Sequence, residues 1–217
     1  MRGPVDLFGQ SLQPSMRQFE ELATRQGYRQ VAGVDEAGRG PLAGPVVAAA
    51  IILPPGVDLP GVNDSKKLTP SRRDKLFDLI HSRAVAIGVG IGDHLLIDRI
   101  NILQATLAAM GQAVNALSLP PDYLLIDGIS CIPLSIPQRT IKKGDSASIS
   151  IAAASIIAKV TRDRLMAVYD RQYPGYGFAE HKGYGCVSHL AAIASLGPCP
   201  IHRTTFRGVK EHVKGER

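Results

Sequence analysis

One stretch constrains the fold more than any other. An apolar run ends in two adjacent acids and passes straight into a glycine-arginine-glycine turn: Val31-Ala32-Gly33-Val34-Asp35-Glu36-Ala37-Gly38-Arg39-Gly40. Val31 to Asp35 reads as a short buried strand, and acids at the tip of a buried strand need a partner, because an uncompensated buried charge is costly. Carboxylate oxygens suit hard cations such as Mg²⁺. The glycines let backbone approach a ligand closely, and Arg39 offers a planar fork of donors for a phosphate. Acid, metal and phosphate together point to chemistry on a nucleotide or a nucleic acid.

The rest of the chain supplies a sheet to carry this tip. Val46 to Leu53 and Ala84 to Ile91 read as further strands. The links Pro54-Pro55-Gly56 and Pro60-Gly61 are turn signals. Three strands in close succession, without long crossovers, predict an antiparallel meander. Then the period changes. Met16 to Arg25, Ile100 to Leu117, Ser146 to Tyr173 and Ser188 to Leu196 carry helical patterns. Tyr123 to Ile126 is an apolar strand ending at Asp127-Gly128, and a helix followed by a buried strand predicts a parallel neighbour. The sum is an α/β chain with a mixed sheet flanked by helices and a helical, basic C-terminal third.

Composition narrows the function. The 217 residues are 45% hydrophobic, enough for one real core. The longest strictly apolar run, Val46 to Leu53, is far short of the roughly 20 residues of a membrane span. Residues 1–15 lack the apolar core of a secretory signal. Cys131, Cys186 and Cys199 form no CxxC pair and no zinc pattern, which fits a reducing cytoplasm. The net charge of +6 favours a polyanion partner. The charge is concentrated: Gln138 to Arg164 holds six basic and two acidic residues, and Ile201 to Arg217 five and two.

Four acids lie where structure turns into loop: Asp35, Glu36, Asp127 and Asp145. If the strands ending at Asp35 and Asp127 are parallel neighbours, these two acids meet at the carboxyl ends, where open sheets collect ligands. Clustered carboxylates repel one another unless a cation neutralises them, which makes Mg²⁺ or Mn²⁺ the expected cofactor. Neighbouring residues on a strand face opposite ways, so Asp35 and Glu36 share a site only if the strand bends or one of them binds at the rim. Taken singly, Asp127-Gly128 also reads as a plain turn, and Asp145 as a helix N-cap.

The motifs carry a resemblance. Gly33-Val34-Asp35-Glu36-Ala37-Gly38-Arg39-Gly40-Pro41-Leu42-Ala43-Gly44-Pro45-Val46 resembles the signature of bacterial ribonuclease HII, of the type 2 ribonuclease H family. Asn63-Asp64-Ser65-Lys66-Lys67-Leu68, Leu125-Ile126-Asp127-Gly128 and Lys142-Lys143-Gly144-Asp145 resemble its next three motifs. The stretch from Ser148 to Arg164, then His181-Lys182-Gly183-Tyr184-Gly185 and His202-Arg203, are similar as well. The likeness spans about residues 17–207. It implies a ribonuclease H-like fold with a five-stranded mixed sheet between helices. A catalytic domain is expected at 16–207, helical from about 165; outside the likeness, Pro4, Gly9 and Pro14 make 1–15 read as a loosely ordered segment, and 208–217 is a basic tail. The resemblance implies an endonuclease for the RNA strand of RNA–DNA hybrids. That enzyme also incises 5′ of single ribonucleotides in duplex DNA and leaves 3′-hydroxyl and 5′-phosphate ends. Asp35, Glu36, Asp127 and Asp145 are then the metal-binding catalytic acids. A monomer is expected, with no membrane partner.

In that family the Gly38-Arg39-Gly40 turn reads the RNA-to-DNA junction and Tyr184 stacks on the next deoxyribose. Ser65, Lys66, Lys67, Lys142, Lys143, Ser148, Lys159 and Arg162 are the expected phosphate contacts, each also readable as an ordinary polar residue. His181, His189 and His202 are open to proton transfer or phosphate binding. Ribonuclease HIII, the related type with the same chemistry, usually adds an N-terminal domain, for which the residues before Val31 leave no room. A binding module without catalysis fits the basic flanks but not the acids. A dinucleotide-binding dehydrogenase fails on glycine spacing.

Overall fold

The apolar runs close into one sheet. The computed structural model describes residues 15–62 and 68–213. The strands are β1 (Val31–Ala37), β2 (Val46–Ile52), β3 (Ala86–Gly92), β4 (Tyr123–Asp127) and β5 (Gln138–Ile141), in the order β3-β2-β1-β4-β5. β1 pairs antiparallel with β2, as β2 does with β3, whereas β4 runs parallel to both β1 and β5. This is the five-stranded mixed sheet of a ribonuclease H-like fold. β2 is buried along its whole length, as a strand covered on both faces must be.

The helices divide between the faces. α3 (His94–Asn115) lays Ala105, Ala109, Met110 and Ala113 against Ala32, Val34, Ala48 and Ile126. On the other face α4 (Ile149–Gln172) and α2 (Pro70–Arg83) pack Ile156, Ile157, Leu76 and Ile80 against Ala49 and Ile51. α1 (Gln18–Arg25) leans on the start of β1. Close packing depends on glycine at Gly33, where an added Cβ would stand 2.2 Å from the Ser150 carbonyl carbon of α4. Glu20 of α1 ties the same end of α4. Its Oε1 accepts from the Ser150 amide (3.0 Å) and from the Ser148 and Ser150 hydroxyls (2.5 and 2.6 Å), placing negative charge at a helix N-terminus.

Three expectations need correction. The link between β2 and β3 is not a simple meander connection, because α2 intervenes. Thr69 caps it by accepting from the Arg72 amide, and Pro70 occupies its first turn. α3 begins at His94, not Ile100, and breaks at Asn101 (φ 69°). The Asn101 Oδ1 accepts from the Leu103 and Gln104 amides and restarts the helix there. α4 is capped by Ser148, not Asp145, which sits in a separate 3₁₀ turn at Gly144–Ser146. The C-terminal region adds the single turn α5 (Phe178–His181) and α6 (Val187–Leu196). Among the described residues no helix is long and apolar enough to cross a membrane. The segment 1–14 and the positions Asn63 to Lys67, with the expected contacts Ser65, Lys66 and Lys67, lie outside the described residues.

Candidate active site

The parallel pairing of β1 and β4 brings two acids together. Val34 stands opposite Ile126, so one step further along the register sets Asp127 beside Asp35. Gly33 and Leu125 face α4 and α1, and strand alternation puts Asp35 and Asp127 on that same face. Asp35 is 4% exposed. Its Oδ1 accepts from the Glu36 amide at 2.7 Å, and Ser155 of α4 donates to it as well. Burial, then the charges of Glu36 and Asp127, push its carboxyl well above the usual carboxylate range. Asp127 Oδ1 accepts from the Gly144 amide at 2.6 Å. That contact brings the turn bearing buried Asp145 against the end of β4.

Glu36 answers the alternation problem. β1 stays in register with β2 through Ala37, so Glu36 faces the α3 side. It lines a cleft of about 250 Å³ with Arg39, Leu103, Met110, Asp127 and Ile129. Arg39 Nη1 lies 3.5 Å from its Oε1. The acids thus approach the sheet tip from both faces. Among the described residues no three His, Cys, Asp or Glu side chains stand at metal-chelating spacing, so the arrangement is an open cluster. The donor set still fits a hard divalent cation: every donor is a carboxylate oxygen, and cation binding relieves the repulsion that raises Asp35.

The turn beside the acids is held from inside. Gly38 has φ +100°, and a Cβ there would lie 2.0 Å from Arg162 Nε, so both backbone and space require glycine. Arg203, fully buried, donates to the carbonyls of Gly38 (2.6 Å), Arg39 (2.9 Å) and Gly44 (3.0 and 2.9 Å). Arg162 donates to the carbonyls of Pro45, Lys182 and Ala43 at 2.9, 3.0 and 3.1 Å. Burial pulls the Arg162 pKa down to about 10 and that of Arg203 to about 9. The carbonyl contacts are the compensation. Across the turn, Tyr184 is 47% exposed and its ring edge would be 3.5 Å from a Cβ at Gly40. The Leu42 amide donates to the Gly183 carbonyl at 2.7 Å, sewing the tyrosine's loop to the turn.

Several expected phosphate contacts sit elsewhere. Arg162 and Ser148 are correctly on α4 or at its cap, but both are buried and occupied by internal hydrogen bonds. In this structure their side chains face the interior, where they serve the scaffold. Lys142 and Lys143 are exposed after β5. Lys159 pairs with Asp163 at 2.8 Å, and burial lowers its pKa. It lines a cleft of about 560 Å³ with Arg73, Arg164, Lys182 and Tyr184. His189 and His202 are buried and bonded to each other, which corrects the phosphate reading for them. Arg203 is the residue the sequence left without a role; its only signal was its place in a motif.

A sequence profile described as "Ribonuclease HII" matches residues 32–209. A protein named Ribonuclease HII from Geobacter sulfurreducens is 74% identical over 213 residues, 98% of each chain. One of the same name from Geotalea uraniireducens is 72% identical over 212 residues, again 98% of each. Among solved structures, ribonuclease H2 from Pyrococcus horikoshii is 28% identical with a TM-score of 0.71, over 84% of this chain and 96% of that one. Bst-RNase HIII in complex with Mn²⁺ shares the fold at 22% identity and a TM-score of 0.66, over 94% and 74%. With the sheet, the motifs and near full-length relatives in agreement, the chain belongs to the ribonuclease HII family and is an enzyme of the ribonuclease class.

Proposed function

We propose that this protein is an endonuclease that hydrolyses the RNA strand of RNA–DNA hybrids and incises 5′ of a single ribonucleotide embedded in duplex DNA. The products carry 3′-hydroxyl and 5′-phosphate ends. One observation carries the reading: Asp35 and Asp127 fall side by side on parallel strands, directly before the Gly38–Gly40 turn over which Tyr184 lies. Acids that cut and groups that tell RNA from DNA are adjacent.

Asp35, Glu36, Asp127 and Asp145 would hold Mg²⁺ or Mn²⁺. Bound there, one or two such ions supply an activated water and neutralise the departing 3′-oxygen. The chain's own residues do the rest. Ser155 and the Glu36 amide orient the Asp35 carboxylate, and the Gly144 amide orients that of Asp127. Gly38, Arg39 and Gly40 present backbone to the 2′-hydroxyl, which donates and accepts. Tyr184 offers a ring to the neighbouring deoxyribose. Lys142, Lys143 and Lys159, with half-exposed Arg39, contact phosphates on the approach, in keeping with the net charge of +6. No cysteine or serine nucleophile is required. We further assign residues 16–207 to one catalytic unit acting as a cytoplasmic monomer.

The test is a nicking assay on an end-labelled duplex containing one ribonucleotide, run with Mg²⁺, with Mn²⁺ and with chelator. Metal-dependent cleavage 5′ of the ribonucleotide is expected. A folded protein that binds the duplex and leaves it intact in either metal would overturn the reading.

A further inference from the structure

Two buried histidines form a chain of hydrogen bonds that ends on the backbone of Tyr184. His189 of α6 and His202 are 0% and 1% exposed, and their Nε2 atoms lie 3.0 Å apart. One proton must sit between them. The His189 end decides where. Its Nδ1 lies 2.9 Å from the Tyr184 carbonyl, which can only accept, so the His189 proton is on Nδ1 and its Nε2 accepts from His202. His202 Nδ1 then carries no proton and accepts from the Cys199 amide at 2.9 Å, with the Cys199 carbonyl 3.2 Å away. His181 stacks on His189 with ring centroids 4.4 Å apart. It accepts from the Gly183 amide at 3.1 Å and donates to the Tyr176 carbonyl at 2.7 Å. Imidazoles thus hold polar backbone groups of both Gly183 and Tyr184.

We propose that His189, oriented by His202, is a positioning residue that fixes the backbone of Tyr184. Its consequence for junction selectivity rests on the reading of Tyr184 given above. The relay works only with both rings neutral, because a second proton sets two N–H groups against each other. The surroundings favour neutrality. The titratable groups facing the pair are His181 from α5, His94 from the start of α3, and Tyr176 and Cys199 from flanking loops. Asp98, which borders the same cleft as His202, is engaged by Thr204 and Thr205. Burial lowers the pKa of both rings, that of His202 to about 4.

The experiment compares His189→Ala with His189→Asn, whose amide nitrogen replaces Nδ1 as the donor to Tyr184. Hydrogen–deuterium exchange of residues 182–187 reports positioning. The ratio of cleavage on a single-ribonucleotide duplex to cleavage on an all-RNA hybrid reports selectivity. In His189→Ala the segment should exchange faster and the ratio should fall roughly five-fold, the size of one lost hydrogen bond. His189→Asn should recover both. Unchanged exchange in His189→Ala overturns the proposal, as does an asparagine variant as loose as the alanine one, since that marks a side chain that only fills space. Loosened exchange with asparagine rescue, but an unmoved ratio in both His189→Ala and Tyr184→Ala, supports positioning and refutes the junction role of Tyr184 instead.

Discussion

Arg203→Met tests whether the turn beside the acids owes its shape to a single buried fork. Methionine keeps much of the volume and removes every donor. The buried carbonyls of Gly38 and Gly44 then lose their partners, and that of Arg39, nearer the surface, turns to water. A stranded buried acceptor costs about 1–3 kcal/mol, so two cost about 2–6 kcal/mol. Part is offset because a guanidinium no longer has to be desolvated, leaving about 2–4 kcal/mol net. At 2–4 °C per kcal/mol for a chain this long, the melting temperature should drop by roughly 5–15 °C. Arg203→Lys should fall in between, since an ammonium is a point charge that cannot serve three diverging carbonyls. Calorimetry gives the stability, and nicking of a single-ribonucleotide duplex at 25 °C, where the variant stays folded, should lose about ten-fold or more in kcat/KM. A methionine variant melting within about 2 °C of wild type, with full kcat/KM, would refute the reasoning that the fork shapes the turn.

Other perturbations follow from the same geometry. Asp127→Asn should lower cleavage at least about 100-fold while hybrid binding persists, read by gel shift beside the nicking assay; near wild-type cleavage would contradict the acid cluster. Asp35→Asn removes a buried charge that its neighbours repel, so in chelator it should melt above wild type, and added Mn²⁺ should raise the melting temperature of wild type but not of the variant. Gly33→Ala drives a Cβ into the Ser150 backbone and should cost about 2–3 kcal/mol of stability by denaturant titration. It should also lower activity, because α4 carries the Ser155 that orients Asp35. Acid should destabilise the protein through His202, whose folded pKa of about 4 lies below the unfolded value near 6.5. The unfolded chain takes the proton first, so this contribution is intact above pH 6.5, is lost as pH falls toward 4, and then levels off. His202→Gln should flatten that part of a melting-temperature profile.

What the sequence made legible was whatever local pattern encodes. β1, β2, β3 and β4 announce themselves as apolar runs, and the helix before β4 predicted a parallel neighbour for it; that the neighbour is β1 was a condition the structure fulfils. β5 did not, because Gln138-Arg139-Thr140-Ile141 is a half-exposed edge strand that buries only its last residue. α2 hid behind its loop residues: it buries only Leu76 and Ile80, although Thr69-Pro70 is a start signal by type. The positions of Asp35 and Asp127 were foreseeable from strand ends. Those of Arg162 and Ser148 were not, because what occupies them is distant. Arg162 meets carbonyls 117 and 119 positions earlier in the chain, and Ser148 meets Glu20, 128 positions earlier. A basic residue in a basic stretch looks alike whether it faces phosphate or backbone.

That distance also explains the C-terminal region. A loop rich in glycine has many conformations to lose, and ordering it costs about 1–2 kcal/mol per residue. The one long donor side chain within residues 38–45, Arg39, faces Glu36 instead of the turn's carbonyls. Arg162 and Arg203 reach them from later elements, while a bridge pairs Ala43 with His202 and the Gly44 amide donates to the Ile201 carbonyl. The segment around residues 197–203 is therefore part of the turn's structure and not an appendage to it. Cutting the chain after α4 would release the carbonyls of Gly38, Arg39 and Gly44 together and remove Tyr184 as well. The same contacts that order the turn bring the tyrosine over it, so the order of the turn and the place of Tyr184 rise or fall with one set of hydrogen bonds.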